Sequence, residues 1–246
     1  LKIVNLGATA IGTTVTAAPG YPELAVKNLA ELTGIDFKNS EDLIAATSDC
    51  GAYMTLSSAI KGLAVKMTKV CNDIRLLASG PRCGLKEINL PQLQPGSSIM
   101  PGKVNPVAAE VANQASFLAI GLDTTVMLAA SAGQLELNVM EPVITFALYT
   151  QMKVMTNACD TLRTKLVEGV TANTERCKDY VMNSIGIVTL LKPHFGYQKC
   201  AAIAKEGYTT GKSLHQIVVD EQHLMTQAEW DATFNTQNLI HPKFVK

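Results

Sequence analysis

The feature that most constrains this chain is a run of apolar and small side chains spaced three and four residues apart over positions 40–79. Its members are Leu43, Thr47, Cys50, Met54, Ser57, Ile60, Ala64, Met67, Cys71, Ile74 and Ala78. The spacing places these side chains on one helical face, so it predicts one long helix from Ser40 to Ser79. We expect Ser40 to cap the helix and Gly80-Pro81 to end it. Helices of this length are typical of bundles and coiled coils.

Two more long helical patterns follow, at about Pro106–Ala132 and Met140–Glu168, each ended by a glycine. A shorter helix is predicted near Glu23–Thr33. Beyond residue 170 the predicted helices become short: Asn173–Ser184, Tyr197–Thr209, Ser213–Asp220 and Gln227–Phe234. No alternating strand pattern of useful length appears. The sequence therefore predicts an all-α chain, with a long-helix bundle domain over residues 1–170 and a small helical domain over residues 171–246.

The composition limits the partners that we expect. The 21 basic and 21 acidic residues cancel and are interspersed, unlike the clustered charge of a nucleic-acid-binding surface. No run of about 18 uninterrupted apolar residues occurs, so no membrane span is predicted. The six cysteines lack CxxC spacing and the four histidines lie far apart, so no metal site is predicted either. We interpret the cysteines as small buried side chains in a reducing, cytoplasmic compartment.

The residues with chemical potential are concentrated between Gly96 and Pro106. The glycines and prolines of this segment predict a loop, which offers two hydroxyls, an ammonium and an amide just before a helix start. Such groups suit a small dicarboxylate, with Lys103 as a point charge and Asn105 as a hydrogen-bond donor. Taken singly, each residue has an ordinary interpretation: Asn105 as a helix N-cap, Ser97 as a turn hydroxyl and Lys103 as a solvated charge.

Taken together, these residues match every fixed position of GSSxMPxKxN, the long signature loop of the aspartase/fumarase superfamily, which the chain resembles over nearly all its length. The resemblance implies that Ser97 is the general base that removes a proton from Cβ of the substrate. It also implies that Lys103 and Asn105 bind a substrate carboxylate and that Met100 lies against the substrate. Four further positions are supporting members of the site by the same resemblance: Gly96, Ser98, Gly102 and Glu110.

Other segments resemble the aspartase branch of the superfamily: Asn5–Thr13, Ala46–Tyr53, Gly133–Pro142, Asn183–Thr189 and Asn238–Pro242. This resemblance implies elimination of ammonia from L-aspartate to give fumarate, through an aci-carboxylate intermediate. It implies no required cofactor; some relatives are activated by Mg²⁺, but no ligand cluster supports this here. Fumarate hydration and a non-catalytic scaffold, like the lens crystallins of the superfamily, remain alternatives.

The resemblance also implies a homotetramer in which each active site takes residues from three subunits. Superfamily members are longer, and their additional N-terminal part holds Thr, Ser and His residues that bind the substrate. The chain begins at Leu1 rather than Met, so we expect it to start inside a longer protein. We therefore do not expect these 246 residues alone to form a complete site.

Overall fold

The computed structural model describes residues 1–240, which are predominantly helical, and this confirms the predicted all-α class. The helices are α1 (Tyr21–Thr33), α2 (Leu43–Ser48), α3 (Gly51–Leu77), α4 (Val107–Ser131), α5 (Glu141–Lys165), α6 (Thr174–Met182), α7 (Lys192–Thr210), α8 (Gln227–Thr233) and α9 (Thr236–Ile240). Strands in the described part have two residues each: β1 (Ile3–Val4), β2 (Lys38–Asn39), β3 (Ile88–Asn89) and β4 (Thr171–Ala172). Strand β1 pairs in parallel with β2, which ties the segment before α1 to the segment after it.

The chain divides into two compact units, the first spanning Leu1–Thr171 and the second beginning at Ala172. In the first unit α4 packs against both α3 and α5. Its buried face consists largely of small side chains, among them Ala108, Ala112, Ser116 and Ala119. Small residues let helix backbones approach closely, so α4 is the central helix of a three-helix core.

Residue pairs across the core give the helix directions. The side-chain amide of Asn138, just before α5, donates to the Cys50 sulfur at the start of α3. The side-chain amide of Asn113, near the start of α4, donates to Asn72 near the end of α3. Ser57 of α3 lies against Asp123 near the other end of α4. The contacts thus run in opposite order along α3 and α4, and these two helices are antiparallel.

The predicted helix from Ser40 to Ser79 is wrong in its first third. The side chain of Asp42, not Ser40, caps α2 by accepting 3.0 Å hydrogen bonds from the amides of Ile44 and Ala45. Asp49 then adopts an extended backbone, and its carboxylate accepts a 2.8 Å bond from Gly51 N, at the start of α3. A local side-chain bond therefore competes with the helix at this point, which the apolar spacing does not reveal.

The other predicted helices are present with shifted ends. The pattern at Met140–Glu168 corresponds to α5, which closes in a 3-10 turn over Val167–Gly169. The segment predicted as a helix over Ser213–Asp220 contains instead a π-helical turn, Gln216–Glu221. Helix α8 begins in a capping box, in which Thr226 and Glu229 bond each other's backbone amides.

The second unit has its own apolar core, built around the aromatic pair Trp230 and Phe234, whose rings stack at 4.0 Å. Ile217, Ile203 and Leu191 are almost fully buried in the same cluster. Helices α7 and α8 and the turns around them build this core, so the second unit has an apolar core of its own.

A buried polar network crosses the middle of the three-helix core. Asp123 of α4 forms an ion pair with Lys61 of α3 and accepts a 2.8 Å hydrogen bond from Ser57 Oγ. Gln151 of α5 has its carbonyl oxygen 3.1 Å from Ser57 Oγ and donates a 2.9 Å bond to the backbone oxygen of Ala119. Burial raises the pKa of Asp123, but the bonds from Lys61 and Ser57 outweigh it and hold that pKa below its usual value.

Helix α4 is also long and apolar enough to cross a membrane, judged by its length and composition alone. The core helix of a bundle passes the same test. Buried polar side chains interrupt α4, among them Asn113 and Asp123, both bonded to α3. The expectation that no segment spans a membrane stays a prediction.

Candidate active site

The signature loop is closed at its base by two close contacts. The backbone of Gly96 lies so near the opposite side of the loop that a Cβ atom there would be 1.7 Å from the carbonyl oxygen of Lys103. Only glycine fits this approach. The side-chain amide of Asn105 then donates a 2.7 Å hydrogen bond to the carbonyl oxygen of Gly96. Gly96, Lys103 and Asn105 therefore form a narrow base, the neck, from which residues 97–102 project.

Asn105 does not act as the helix cap suggested by its ordinary interpretation. Helix α4 begins at Val107 with Pro106 in the N-cap position, and it has no side-chain cap bond. The Asn105 amide donates to Gly96 O, and no side chain caps the first backbone N–H groups of this 25-residue helix. Such a helix end favours an anion through its exposed N–H groups and its dipole.

Ser97 stands at the start of the projecting loop. Its hydroxyl oxygen accepts hydrogen bonds from the backbone amides of Ile99, at 3.1 Å, and Met100, at 3.0 Å. The turn interpretation of this hydroxyl is thus correct, and the two N–H donors also favour an oxygen that carries negative charge. The same two hydrogen bonds are compatible with a turn hydroxyl and with a deprotonated serine.

The tip of the loop is exposed. The side chain of Ile99 is 87% exposed, Met100 is 53% exposed, and Ser98 and Lys103 are exposed as well. Gly102 has a φ of 77°, in the left-handed region that favours glycine, and a Cβ there would meet no other atom. Substitution of Gly102 would therefore strain the turn without causing a clash.

A cavity of about 630 Å³ lies beside this loop, lined by Lys103, Asn105, the end of α3 and the segment that follows α3. Ser97, Met100 and Glu110 are not among its lining residues. Glu110 lies half-buried in the first turn of α4. The structure thus brings Lys103 and Asn105 together at one cavity, and it places Ser97 on the projecting side of the neck.

Two cations of this cavity were not among the site residues predicted from the sequence. Arg75, in the last turn of α3, and Lys86, in the following segment, line the cavity together with Lys103. The sequence signal was present as Gly80, Pro81 and Gly84, which mark a tight turn after α3. That turn brings residues 79–92 back beside the signature loop.

No group of three or more His, Cys, Asp or Glu side chains within residues 1–240 could hold a metal ion. His215 packs its ring edge-on against Trp230 at 5.2 Å, and His194 and His223 are exposed. His241 lies outside the described residues. Cys50, Cys71 and Cys200 are buried, Cys159 and Cys177 are half-buried, and Cys83 is exposed, which departs from the expectation that all six are buried.

Comparison with known proteins places this geometry in a family. Residues 1–121 match the family described as Lyase, and residues 187–241 match the family described as Fumarase C C-terminus. The chain belongs to the aspartase/fumarase superfamily of lyases, as its signature loop indicates.

Among curated relatives, the aspartate ammonia-lyase of Escherichia coli strain K12 is 57% identical over 241 residues, which are 98% of this chain and 50% of that protein. Among solved structures, a fumarate lyase:delta crystallin from Brucella melitensis has a TM-score of 0.89 at 42% identity, covering 94% of this chain and 50% of the other. A class II fumarase from Schistosoma mansoni has a TM-score of 0.88 at 30% identity, covering 98% of this chain and 53% of the other. The chain spans about half the length of the curated relatives it matches.

Proposed function

We propose that the protein is a carbon–nitrogen lyase that eliminates ammonia from L-aspartate to give fumarate. One observation carries the proposal: Ser97, in the signature loop, holds its hydroxyl oxygen against two backbone N–H donors. The 57% identity to an aspartate ammonia-lyase supports aspartate as the substrate. The reaction needs a base that can attack a weakly acidic C–H bond, and an alkoxide stabilised by N–H groups is such a base.

In this proposal Ser97 acts as an alkoxide and takes the proton from Cβ of aspartate. The electron pair of the C–H bond moves onto the adjacent carboxylate, which becomes a doubly charged aci-carboxylate. The pair then returns to form the Cα–Cβ double bond while the C–N bond breaks and ammonia leaves. Charge builds up on the carboxylate during the first step, so cations and N–H donors beside that carboxylate lower the barrier most.

Lys103 and the N–H groups at the start of α4 can stabilise the negative charge that develops on the substrate carboxylate. Lys103 lines the cavity beside the loop neck, and the first N–H groups of α4 lack a side-chain cap. Removal of one such preorganised donor typically costs about 2.7–4 kcal/mol of transition-state stabilisation. Asn105 contributes through its position at the neck, and Met100 covers the substrate from the loop tip.

We propose that the active protein is a cytoplasmic homotetramer and that its site is completed by residues beyond this chain and from other subunits. Large apolar side chains are exposed on all three core helices, among them Val65, Phe117 and Phe146. Exposed large apolar side chains on every core helix favour burial against further subunits. The six free cysteines fit a reducing compartment.

Fumarate hydration is the second candidate, because the fold also matches a class II fumarase. The test is product analysis in a subunit of the relatives' full length that contains these residues. We expect L-aspartate to give fumarate absorbance and one equivalent of ammonia, and fumarate with water to give no malate. Malate formation without ammonia formation would replace the proposal with the hydratase, and no turnover of either substrate would favour the scaffold.

A further inference from the structure

The cavity beside the signature loop has an uneven distribution of charge. Its lining includes three cationic residues, Arg75, Lys86 and Lys103, and no acidic residue from the described part of the chain. The chain as a whole has 21 basic and 21 acidic residues, so such segregation is not a consequence of composition. A cleft lined by one sign of charge attracts counter-ions.

Neutral hydrogen-bonding side chains complete the lining. Ser79, Asn89 and Asn105 border the same cavity, whose volume of about 630 Å³ lies in the range of small-molecule sites. The Ser79 hydroxyl donates to the backbone oxygen of Leu76 and the Asn105 amide donates to that of Gly96, so the positive charge of the three cations is what would attract an anion. Arg75 adds a planar guanidinium, which suits a carboxylate or phosphate in a bidentate arrangement.

The segment that brings Lys86 to this cavity is held in an unusual conformation. Lys86 has a φ of 52°, in the left-handed region that side chains other than glycine rarely adopt. Its backbone amide donates a 2.8 Å bond to Ser79 O, and the neighbouring Leu85 amide donates a 3.1 Å bond to Ser79 Oγ. Lys86 is therefore fixed beside the end of α3, on the same turn as Ser79. Such backbone outliers are concentrated at functional sites.

We propose that this cavity is a binding site for a small dianion, in which Arg75 and Lys86 act together with Lys103. Four-carbon dicarboxylates and inorganic phosphate share the chemistry that these residues recognise. Ser97 and Met100 of the proposed reaction centre do not line this cavity, but the reaction centre and the cavity share Lys103 and Asn105.

The shared lysine has a functional consequence, and this step rests on the proposed function. An anion held by Arg75 and Lys86 against Lys103 competes for the cation that the substrate carboxylate needs. Fumarate carries two negative charges whereas aspartate carries a net charge of one, so the cavity favours the product over the substrate. The site thus makes the proposed enzyme sensitive to inhibition by its own product.

The test is calorimetric titration of the protein with succinate, inorganic phosphate and acetate at low ionic strength. We expect a dianion to bind and acetate to bind at least about tenfold more weakly, since each 1.4 kcal/mol corresponds to tenfold in affinity. Tighter binding of succinate assigns the site to dicarboxylates, and tighter binding of phosphate assigns it to phosphate. If neither succinate nor phosphate binds, the proposal is overturned.

Two variants and one control locate the bound anion. Arg75→Gln and Lys86→Gln should each weaken dianion binding by about tenfold. Lys66→Gln removes the same charge from the exposed side of α3, outside the cavity, and should leave the affinity unchanged. Equal losses in all three variants would show a general charge effect and overturn the site. Thermal unfolding of each variant separates lost binding from lost folding.

Binding and turnover can fail separately. If a full-length subunit does not deaminate aspartate but the protein still binds dianions through Arg75, the proposed function is wrong and the anion site is supported. If aspartate turnover is normal and Arg75→Gln changes neither the dianion affinity nor the inhibition constant for fumarate, the anion site is wrong and the proposed function is supported.

Discussion

The side-chain amide of Asn105 donates a 2.7 Å hydrogen bond to the carbonyl oxygen of Gly96, nine residues earlier in the chain. This bond spans the neck of the signature loop, where the backbone of Gly96 already approaches Lys103 too closely for any side chain. The loop that carries Ser97 is therefore held at its base, and its tip is exposed.

We expect Asn105→Ala to loosen this neck. One neutral hydrogen bond is worth about 1 kcal/mol, so trypsin cleavage after Lys103 should accelerate about fivefold when cleavage follows local opening. Asn105→Asp keeps the size of the side chain but loses the N–H donor, so it should accelerate cleavage as much as alanine does. Unchanged cleavage in both variants would mean that the bond does not hold the loop.

Ser97→Ala should lower kcat of a full-length subunit by several orders of magnitude while KM changes little, because the base acts only in the transition state. The matched control is Ser98→Ala, which removes the neighbouring exposed hydroxyl and should lower kcat far less. Stopped-flow detection of fumarate measures both. A Ser97→Ala enzyme with near-normal kcat would remove Ser97 from the role of base.

Lys103→Met should lower kcat/KM by roughly ten- to over a hundredfold, because loss of a charge-assisted contact costs about 1.5–3 kcal/mol. Lys103→Arg keeps the positive charge but alters its geometry, and we expect it to recover part of the loss. Steady-state kinetics on L-aspartate check both variants. If methionine and arginine behave like lysine, Lys103 is a solvated surface charge.

Asp123→Asn should destabilise the bundle by about 2 kcal/mol at pH 7, because it breaks a largely buried ion pair while Lys61 can turn partly towards water. Asp73→Asn removes a carboxylate from an exposed pair with Lys69 and should cost less than about 1 kcal/mol. Urea unfolding at one fixed protein concentration measures both changes. Equal costs would contradict the role of the buried network.

The pKa of Asp123 also predicts a pH dependence. Because that pKa is lower in the folded protein than in the unfolded chain, the folded state gains stability above the unfolded pKa of about 3.9 and loses it as the pH falls below that value. The free energy of unfolding of the unsubstituted protein should therefore decrease more steeply below pH 4 than that of Asp123→Asn. If the free energy of unfolding depends on pH in the same way in both proteins, protonation of Asp123 is not coupled to unfolding.

The 246-residue chain by itself should associate and should not deaminate aspartate. Val65, Phe117 and Phe146 are 53%, 56% and 65% exposed, and burial of such apolar surface yields about 25 cal/mol per Å². Light scattering measures the mass and absorbance measures fumarate. A monodisperse monomer would contradict the assembly, and turnover by the chain alone would contradict the incomplete site.

The sequence by itself predicted the all-α class and the three long core helices, because an apolar period of 3.6 residues is a local signal repeated many times. It also indicated the family, because GSSxMPxKxN fixes many residues at once and few other loops match it. It failed at Asp49, where one side-chain bond to Gly51 N interrupts a helix that the apolar pattern continues through. A single competing bond leaves no trace in periodicity.

Only the tertiary structure decided what surrounds the loop. The bond from Asn105 to Gly96 and the meeting of Arg75, Lys86 and Lys103 at one cavity join residues that are 9 to 28 positions apart. The network of Ser57, Asp123 and Gln151 joins three helices. Local sequence patterns specify which residues share a helical face, but which faces meet depends on how the chain turns between helices and on packing of the whole core.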